Sequence, residues 1–471
     1  MNYTTLYVDL DGTFFKTDLL FESIIVLLKA NPLNIFSCLF WLLKGKAYLK
    51  SQIAKRVTIN FINTPVNREF FDFLTEQKKL GRQLILATAS NELFAQQVCQ
   101  QFDMFDRFIA SDEQNNLSAK NKLRAIQLET PTFSYAGNSK DDLVLFEHAK
   151  EAYLVNASKS VTAKARKFNL NKEFDAQKTQ IKSWFKQLRL YQWVKNSLIF
   201  VPLMVSGYFT DISLVWQTSL GFLSFGLLAS STYIINDLLD LEADRAHKSK
   251  CNRPLAASLI SIPAAITAAV SLFSIAFVLA VFLTQAFVIV LLAYLILTLF
   301  YSFKLKQFIG IDVISLAALY TVRIIAGAAI IGVEVSFWLL AFSMLIFLSL
   351  ALVKRCAELK GLELSGKSST AGRDYTSSDY SILQSFGSSS SFLSVLIFCF
   401  YVNNNVISDQ YQTPTVLWLI LPALTYWLMR MWIKTNRGEM HDDPIVFSLK
   451  DKGSLITIGF MGMITLLAQI T

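Results

Sequence analysis

Three aspartates are spaced so that their carboxylates could share one face of a helix. They lie in the run Asn236-Asp237-Leu-Leu-Asp240-Leu-Glu-Ala-Asp244-Arg245, at positions i, i+3 and i+7. Like charges this close repel one another, and a divalent cation can neutralise them. Mg²⁺ binds a few carboxylates together with phosphate oxygens of a substrate. The run therefore predicts a magnesium-dependent pyrophosphate site with Asp237, Asp240 and Asp244 as catalytic and metal-binding groups, and the alternative is a solvated acidic face.

A second set of polar residues follows short β-type runs within residues 1–156. Four such runs alternate with helical stretches, which predicts a parallel sheet in an α/β fold. Sites in these sheets gather at the carboxyl ends of the strands. The polar residues at three of these ends, with two lysines ahead of the third, are Asp9, Asp11, Thr88, Ser90, Lys120, Lys122, Asn138, Ser139, Asp141 and Asp142. The sequence therefore predicts a second site at this edge of the sheet.

From Asn196 onward, long apolar runs follow one another at lengths that suit membrane-spanning helices. Of the whole chain, 53% is hydrophobic and 38 residues are Phe, which suits lipid-facing helices. Nine runs are found, near 196–212, 214–235, 261–283, 285–303, 311–331, 335–353, 390–407, 414–433 and 454–470. We therefore expect an all-α polytopic bundle of nine transmembrane helices.

The basic residues of this half indicate its topology. Apart from Arg323, every Lys and Arg after Lys195 lies at the end of the second, fourth, sixth or eighth apolar run or in the loop that follows it. The loops after the other runs contain none. This distribution of the net charge of +9 is typical of a membrane protein and not of a nucleic-acid-binding surface. The opening segment Met1–Leu10 lacks the basic start of a signal peptide. We expect a multi-pass protein of the bacterial plasma membrane, with a cytosolic N-terminal domain, the C-terminus on the outer side and no nucleic-acid partner.

The chain thus divides into an α/β domain (1–156), a basic linker or membrane-surface segment (157–190) and a transmembrane domain (191–471). Within the first domain, the apolar stretch Leu33–Leu43 is flanked by lysines and is too short to span a bilayer. One interpretation is a buried cap helix. The other is an interfacial helix that rests the cap on the bilayer and admits a lipid-linked phosphate.

The strand-end residues of the first domain resemble the motifs of the haloacid dehalogenase (HAD) superfamily. The resemblance implies a Rossmannoid parallel sheet with a helical cap, a nucleophile at Asp9 that forms an aspartyl-phosphate, and an acid/base partner at Asp11. Thr88 would hydrogen-bond the phosphoryl oxygens, and Lys122 rather than Lys120 would neutralise them. The Mg²⁺ ligands would be Asp9, Asp11, Asn138 and Asp142. Family members usually carry Asp where Asn138 stands, and an amide brings no charge to the metal, so an inactive scaffold domain is the alternative to a phosphatase.

The acidic run resembles the first motif of the UbiA superfamily of intramembrane prenyltransferases, a likeness that extends from about Arg189 to the C-terminus. Within that superfamily the chain is most similar to decaprenyl-phosphate phosphoribosyltransferases. Ahead of the acidic run, Arg189–Asn196 resembles the superfamily's entry motif to the first span. The segments that carry the similarity to the phosphoribosyltransferases are Tyr301–Lys306, Tyr320–Gly327, Lys354–Leu359, Arg373–Thr376 and Asp442–Ser454. The basic tail of the first motif agrees at His247, Lys250, Arg253 and Pro254, and departs at Lys248 and Cys251.

Prenyl and phosphoribosyl transfer both break a carbon–pyrophosphate bond with Mg²⁺ on the leaving group, so the first motif does not separate them. Aromatic prenyltransferases normally carry a second aspartate-rich motif after the sixth run, where this chain has basic residues and Tyr375. Such groups suit a further anion, such as a ribose 5-phosphate or a lipid phosphate. Arg323, inside the fifth run, either binds the lipid phosphate or pairs with Asp312. The predicted substrate-binding residues are Lys195, Asn236, Arg245, His247, Lys250, Arg253, Arg323, Lys354, Arg355, Arg373 and Tyr375.

The sequence therefore predicts a bifunctional enzyme in the lipid bilayer. Its transferase would use Mg²⁺, phosphoribosyl pyrophosphate and a polyprenyl phosphate, and its phosphatase would remove the 5-phosphate from the lipid-linked product. One alternative is a prenyltransferase that moves a polyprenyl group from its diphosphate to an aromatic or other acceptor. Another is a membrane transporter with a regulatory soluble domain.

Overall fold

Six short strands form one parallel sheet in the N-terminal part of the chain. The computed structural model describes residues 3–174, 181–364, 373–403, 411–440 and 443–470. The strands are β1 (Leu6–Val8), β2 (Leu84–Asn91), β3 (Arg107–Ser111), β4 (Ser134–Gly137), β5 (Glu151–Val155) and β6 (Leu170–Phe174), and they lie in the order β3-β2-β1-β4-β5-β6. Strand β1 is buried throughout, as expected of a central parallel strand covered by helices on both faces. The predicted parallel sheet is confirmed.

The sheet extends past residue 156. Helix Lys159–Ala165 and strand β6 lie in the segment predicted as a linker. This segment is part of the folded domain, because Phe174 of β6 packs against the rings of Phe70 and Phe73 in the core beneath the sheet. Two compact units make up the chain. The first comprises Met1–Leu188 with Ile234–Ala268, and the second comprises Arg189–Tyr233 with Ala269–Thr471.

Twenty α-helices are described. The helices are α1 (Leu19–Ala30), α2 (Asn34–Leu43), α3 (Lys46–Ala54), α4 (Arg68–Lys79), α5 (Glu92–Gln101), α6 (Ala119–Glu129), α7 (Leu143–His148), α8 (Lys159–Ala165), α9 (Ile181–Gln187), α10 (Val201–Val205), α11 (Ile212–Leu239), α12 (Leu241–Ala246), α13 (Ile262–Val281), α14 (Gln285–Phe303), α15 (Ile311–Ile331), α16 (Phe337–Leu364), α17 (Tyr380–Val402), α18 (Ile420–Asn436), α19 (Pro444–Lys450) and α20 (Lys452–Ile470).

Eight helices of the described residues are long and apolar enough to cross a membrane. These candidate spans are Ile212–Leu239, Ile262–Val281, Gln285–Phe303, Ile311–Ile331, Phe337–Glu363, Ser377–Val402, Pro414–Asn436 and Lys452–Gln469. The ninth predicted run, near 196–212, instead folds as a 3₁₀ helix (Leu190–Phe200) followed by the short α10. Gly207 then ends the helical path with a positive φ of 75°. The multi-pass character of the chain therefore stands, whereas the count of nine and the position of the C-terminus stay predictions.

Helix α2 is not a buried cap helix. Cys38 is its one buried residue, while Phe36 is 68% exposed and Leu43 is 86% exposed. The other large apolar side chains of the same stretch that are exposed are Leu33, Ile35, Leu39, Phe40 and Leu42. Among the two interpretations from sequence, this exposure fits the interfacial one.

Candidate active sites

Asp9 and Lys122 form a buried ion pair at the carboxyl edge of the sheet. Asp9 follows β1, and its Oδ1 accepts a hydrogen bond from Lys122 Nζ at 2.7 Å. The Oδ1 atom of Asp142, in the loop after β4, lies 3.8 Å from the same ammonium group. Lys120 on the same helix is exposed, so the structure distinguishes the two lysines in favour of Lys122.

Asp11 lies beside this pair and is held by the start of α1 and by β2. Its Oδ1 accepts from the amide of Leu19 at 2.8 Å, and its Oδ2 accepts from Ser90 Oγ at 2.6 Å. The predicted phosphoryl ligand Thr88 is fully buried, and its Oγ1 accepts from the amide of Ser90 at 2.9 Å. These contacts orient Asp11 toward the same edge of the sheet as Asp9.

The loop after β4 places Asn138 and Asp142 at this edge. Asp142 accepts from the amides of Asn138 and Ser139, at 3.1 and 2.9 Å, and from the hydroxyl of Tyr135 at 2.7 Å. Gly12 has a φ of +76°, and a Cβ there would lie 2.0 Å from the side chain of Asn138. A glycine is therefore required where the Asp9 loop meets the Asn138 loop.

Excess negative charge characterises this first site. Burial raises the pKa of Asp9 to about 7 and that of Asp11 to about 6. Burial also acts to lower the pKa of Lys122, but the carboxylates of Asp9 and Asp142 outweigh it and raise that pKa. The carboxylates of Asp9, Asp11 and Asp142 outnumber the ammonium groups of Lys122 and Lys50, so a divalent cation would neutralise the remaining negative charge, and carboxylate and amide oxygens suit Mg²⁺. In the described residues, no three Asp, Glu, His or Cys side chains converge as metal ligands, so the fit rests on donor chemistry alone.

A cavity of about 450 Å³ opens over these residues. Asp9, Asp11, Lys122, Asn138 and Asp142 all line it. Ser90, noted in the sequence at the end of the second strand-like run, also lines it, whereas sequence reasoning missed the lining residue Lys50. Lys50 comes from α3, and its Nζ donates to the carbonyl of Ala89 at 2.6 Å. Nothing in the local sequence around Lys50 signals this contact, because it depends on how α3 folds back over β2.

The acidic run does not present its three carboxylates on one helix face. Helix α11 ends at Leu239, and Asp240 caps the separate helix α12. Asp237 and Asp244 are buried, and Arg253 Nη1 bridges them at 3.2 and 2.6 Å. Asp240 is 27% exposed and lies 4.0 Å from Lys29. The predicted shared face is therefore confirmed for Asp237 and Asp244, which have Arg253 as a common partner, and is wrong for Asp240, where the backbone leaves the helical conformation.

Arg253 has the place that a cation would take between Asp237 and Asp244. The oxygens of these two buried carboxylates are ligands that Mg²⁺ accepts, and a cation between them would meet the same two groups that the guanidinium bridges. The donor set thus fits the metal predicted from the sequence. Gln187 Nε2 donates to Asp237 Oδ2 at 2.8 Å, and the carbonyl of Asn236 accepts from the amide of Asp240 at 2.9 Å.

The remaining predicted residues of this segment have different partners. Arg245 forms a bidentate ion pair with Glu22 of α1, at 2.9 and 2.7 Å, with both side chains buried. It also donates to the carbonyl of Ala256 at 3.2 Å. His247 Nδ1 accepts from the amide of Lys250 at 3.3 Å. Arg245 therefore acts as a structural brace in this conformation, whereas the sequence predicted it to bind substrate.

In the second unit, a buried cluster gathers around Asp443. Its Oδ2 lies 2.7 Å from Lys195 Nζ and 3.6 Å from Lys354 Nζ, and it accepts from the hydroxyl of Tyr320 at 3.0 Å. Burial alone would raise the pKa of Asp443, but the two ammonium groups hold that pKa well below its usual range. Asp443 and Tyr320 were not among the predicted site residues. The sequence signal that could have found them is their place in the segments Tyr320–Gly327 and Asp442–Ser454, which carry the family resemblance.

Arg323 belongs to the same cluster. Its Nε donates to Asn196 Oδ1 at 2.9 Å, and its guanidinium lies 5.7 Å from the ring of Tyr320, over which Lys195 also lies at 5.7 Å. The Nδ2 atom of Asn196 is buried and has no hydrogen-bond partner among the described residues. Three cations and one carboxylate leave a net charge of +2, together with an unsatisfied donor. This arrangement suits an anion.

Asp312 does not pair with Arg323. It pairs with Arg355 at 2.7 Å, both side chains having no exposure, and it accepts from the hydroxyl of Tyr375 at 2.5 Å. Glu358 joins this network, contacting Arg355 closely and Arg373 at 3.1 Å. The alternative of an Arg323–Asp312 pair is therefore wrong. Of the predicted substrate-binding residues, Arg355, Arg373 and Tyr375 are held in an internal network.

Comparison with known proteins identifies the family of the chain. The model of the UbiA prenyltransferase family matches residues 198–451. A protein of Sinorhizobium fredii named "Uncharacterized protein y4nM" is 35% identical over 97% of this chain and 90% of its own length. The decaprenyl-phosphate phosphoribosyltransferase of Mycobacterium tuberculosis H37Rv is 34% identical over 38% of this chain and 61% of its own length.

Among solved structures, a UbiA homolog from Archaeoglobus fulgidus bound to DMAPP and Mg²⁺ is similar with a TM-score of 0.48. It is 18% identical and covers 60% of this chain and 99% of its own. The family model by itself matches more than half of the chain. The chain therefore belongs to the UbiA prenyltransferase family.

Proposed function

We propose that the chain is a Mg²⁺-dependent intramembrane transferase that moves a phosphoribosyl group from phosphoribosyl pyrophosphate to a polyprenyl phosphate. The observation that carries this proposal is the cluster of the buried residues Lys195, Arg323 and Asp443 with the partly exposed Lys354. Its net positive charge suits a phosphate group inside an apolar bundle. The 34% identity to a decaprenyl-phosphate phosphoribosyltransferase supports the same choice of substrates.

The reaction joins an oxygen of the lipid phosphate to the anomeric carbon of the ribose as the carbon–pyrophosphate bond breaks. The acceptor is already an anion, so no general base is needed. Asp237 and Asp244 would hold Mg²⁺, which supplies charge stabilisation for the departing pyrophosphate. The cations around Asp443 would bind and orient the phosphate groups, and Tyr320 would hold that carboxylate in place.

The product of this transfer still carries a 5-phosphate, and we propose that the Asp9 site removes it. Asp9 would attack the phosphorus as the ester bond to the sugar oxygen breaks. Asp11 would donate a proton to that oxygen, and water would then hydrolyse the aspartyl-phosphate. The raised pKa of Asp11, about 6, suits a group that must carry a proton near neutral pH.

Prenyl transfer from a polyprenyl diphosphate is the second candidate. The sequence argument against it used Arg355, Arg373 and Tyr375 as binding groups for an additional phosphate, and the structure ties these residues to Asp312 and Glu358. The acidic residues would serve the leaving pyrophosphate in either reaction. Membership of a transferase family gives the transporter alternative no support.

The test uses purified protein in detergent with Mg²⁺, a polyprenyl phosphate and labelled phosphoribosyl pyrophosphate, with the lipid phase read by mass spectrometry. We expect labelled lipid from the wild type, none from Asp237→Asn, and accumulation of the lipid that retains its 5-phosphate from Asp9→Asn. Unlabelled lipid from the wild type would refute phosphoribosyl transfer and favour a prenyl donor. Equal 5-phosphate in the wild type and in Asp9→Asn would refute the second step alone.

A further inference from the structure

The cavity over Asp9 has two chemically different walls. Carboxylates, Lys122 and the Asn138 loop form one wall. The segment that follows the acidic run forms the other, and the residues it contributes are Leu255, Ser258, Ile260, Ser261, Ile262 and Pro263. Leu255 is 2% exposed and Ile260 is 2% exposed. A phosphate held at the polar wall would therefore place the group it is attached to against an apolar surface.

This apolar wall, 255–263, continues directly into a candidate membrane span. Ile262 is the first residue of α13, which runs for 20 residues to Val281 with a mean hydropathy of 2.4. Twenty helical residues extend about 30 Å, which is the thickness of the hydrocarbon core. When α13 crosses a bilayer, its first residues lie at the boundary between water and hydrocarbon. The apolar wall then lies at the membrane surface.

The ion pair of Arg245 and Glu22 holds the wall in position. The same guanidinium donates to the carbonyl of Ala256 and approaches Ser258 Oγ at 3.5 Å. Ser258 has a φ of +54°, a backbone conformation that a serine adopts only when its surroundings impose it. Glu22 lies one turn into α1, and the amide of Leu19 at the start of that helix donates to Asp11. A chain of direct contacts therefore connects the wall to Asp11.

The exposed face of α2 gives independent support for a membrane location of this unit. Phe36, Phe40 and Leu43 are each more than half exposed, and Lys44 and Lys46 follow them directly. Aromatic and aliphatic side chains beside lysines are typical of a helix that lies in the headgroup region of a bilayer.

We propose that 255–263 is the specificity wall of the Asp9 cavity, and that the cavity takes a phosphomonoester carried on a membrane lipid and excludes soluble phosphate esters. This inference rests on the phosphatase activity proposed above. It adds that a segment adjoining the transferase motif completes the phosphatase pocket, so the two activities share one structural element.

The test compares four substrates with the full-length protein in nanodiscs and Mg²⁺: p-nitrophenyl phosphate, ribose 5-phosphate, farnesyl phosphate and the phosphoribosylated polyprenyl lipid. We expect kcat/KM for the two lipid-borne esters to exceed that for the two soluble esters by at least about tenfold. Leu255→Asn should lower the ratio of lipid to soluble kcat/KM by about tenfold. Leu128→Asn is the matched control, because Leu128 is 87% exposed on α6, and it should leave the ratio unchanged.

The ratio does not depend on the fraction of protein that is folded, so a destabilised variant still tests the wall. Equal efficiency toward soluble and lipid-borne esters in the wild type, or an unchanged ratio in Leu255→Asn, would overturn the inference. Hydrolysis of farnesyl phosphate without hydrolysis of the phosphoribosylated lipid would support the wall and refute the proposed phosphatase step. No hydrolysis of any ester would overturn the inference and the phosphatase step, while labelled lipid in the transferase assay would leave the first step standing.

Discussion

Replacement of Lys195 by methionine tests whether the cluster around Asp443 binds an anion. The substitution lowers the net charge of the cluster from +2 to +1 and keeps a side chain of similar length. A ligand oxygen about 4 Å from the ammonium group, at an effective dielectric constant of about 20, gains about 4 kcal/mol. Lys195 also pairs with Asp443 at 2.7 Å, so only part of this energy is available to a ligand. We take the part of the interaction energy that is available to the ligand as about 2.7 kcal/mol. Its loss predicts an approximately 100-fold rise in KM for the phosphate-bearing substrate that occupies the cluster.

The competing explanation is that Lys195 only neutralises Asp443. Removal of one partner of a buried pair costs about 3–5 kcal/mol of stability, and that loss could lower activity without any role in binding. The double variant Lys195→Met/Asp443→Asn separates the two explanations. The double variant restores the net charge of +2 but not the ammonium group that would contact the ligand. If Lys195 binds the ligand directly, the double variant should therefore regain thermal stability while KM stays above the wild-type value. If its role is structural, both quantities should return toward the wild type.

The assay is the initial rate of lipid labelling at varied substrate concentration, with thermal unfolding measured on the same preparations. Lys434→Met is the matched control, since it removes one positive charge from a surface pair with Glu439 at 2.8 Å. That variant should keep KM within about twofold of the wild type. A wild-type KM in the double variant would refute anion binding by Lys195.

Two further predictions concern stability and membrane contact. Arg355→Met should lower the free energy of unfolding by about 3–5 kcal/mol, because Asp312 is left buried without its ion-pair partner. Arg430→Met breaks a partly exposed pair with Asp451 and should lower it by only about 1 kcal/mol. Equal shifts in melting temperature for the two variants would contradict this reasoning. A benzoylphenylalanine placed at Phe36 of α2 should photo-crosslink to lipid in nanodiscs, whereas the same group at the exposed Leu128 of α6 should not. Equal amounts of lipid adduct at both positions would refute the interfacial helix.

Local patterns determined much of what could be predicted. The strand-end order of Asp9, Asp11 and Asn138 predicted the polar edge of a parallel sheet, because side chains at strand ends must lie together once the strands are parallel. Apolar runs longer than about 18 residues predicted spanning helices for the same kind of reason, since length and hydropathy are local properties. The 3₁₀ segment Leu190–Phe200 is apolar enough to resemble a span, and composition did not reveal its geometry.

Only the tertiary structure decided which charges meet. Glu22 and Arg245 are 223 residues apart in sequence, and Lys195 and Asp443 are 248 residues apart. No spacing rule connects residues at such distances, because their approach depends on the path of every intervening helix. The acidic run illustrates both limits. Its carboxylates were recognisable from their spacing, but the non-helical backbone of Asp240 and the bridge from Arg253 were not, because they depend on contacts that form only when the chain has folded.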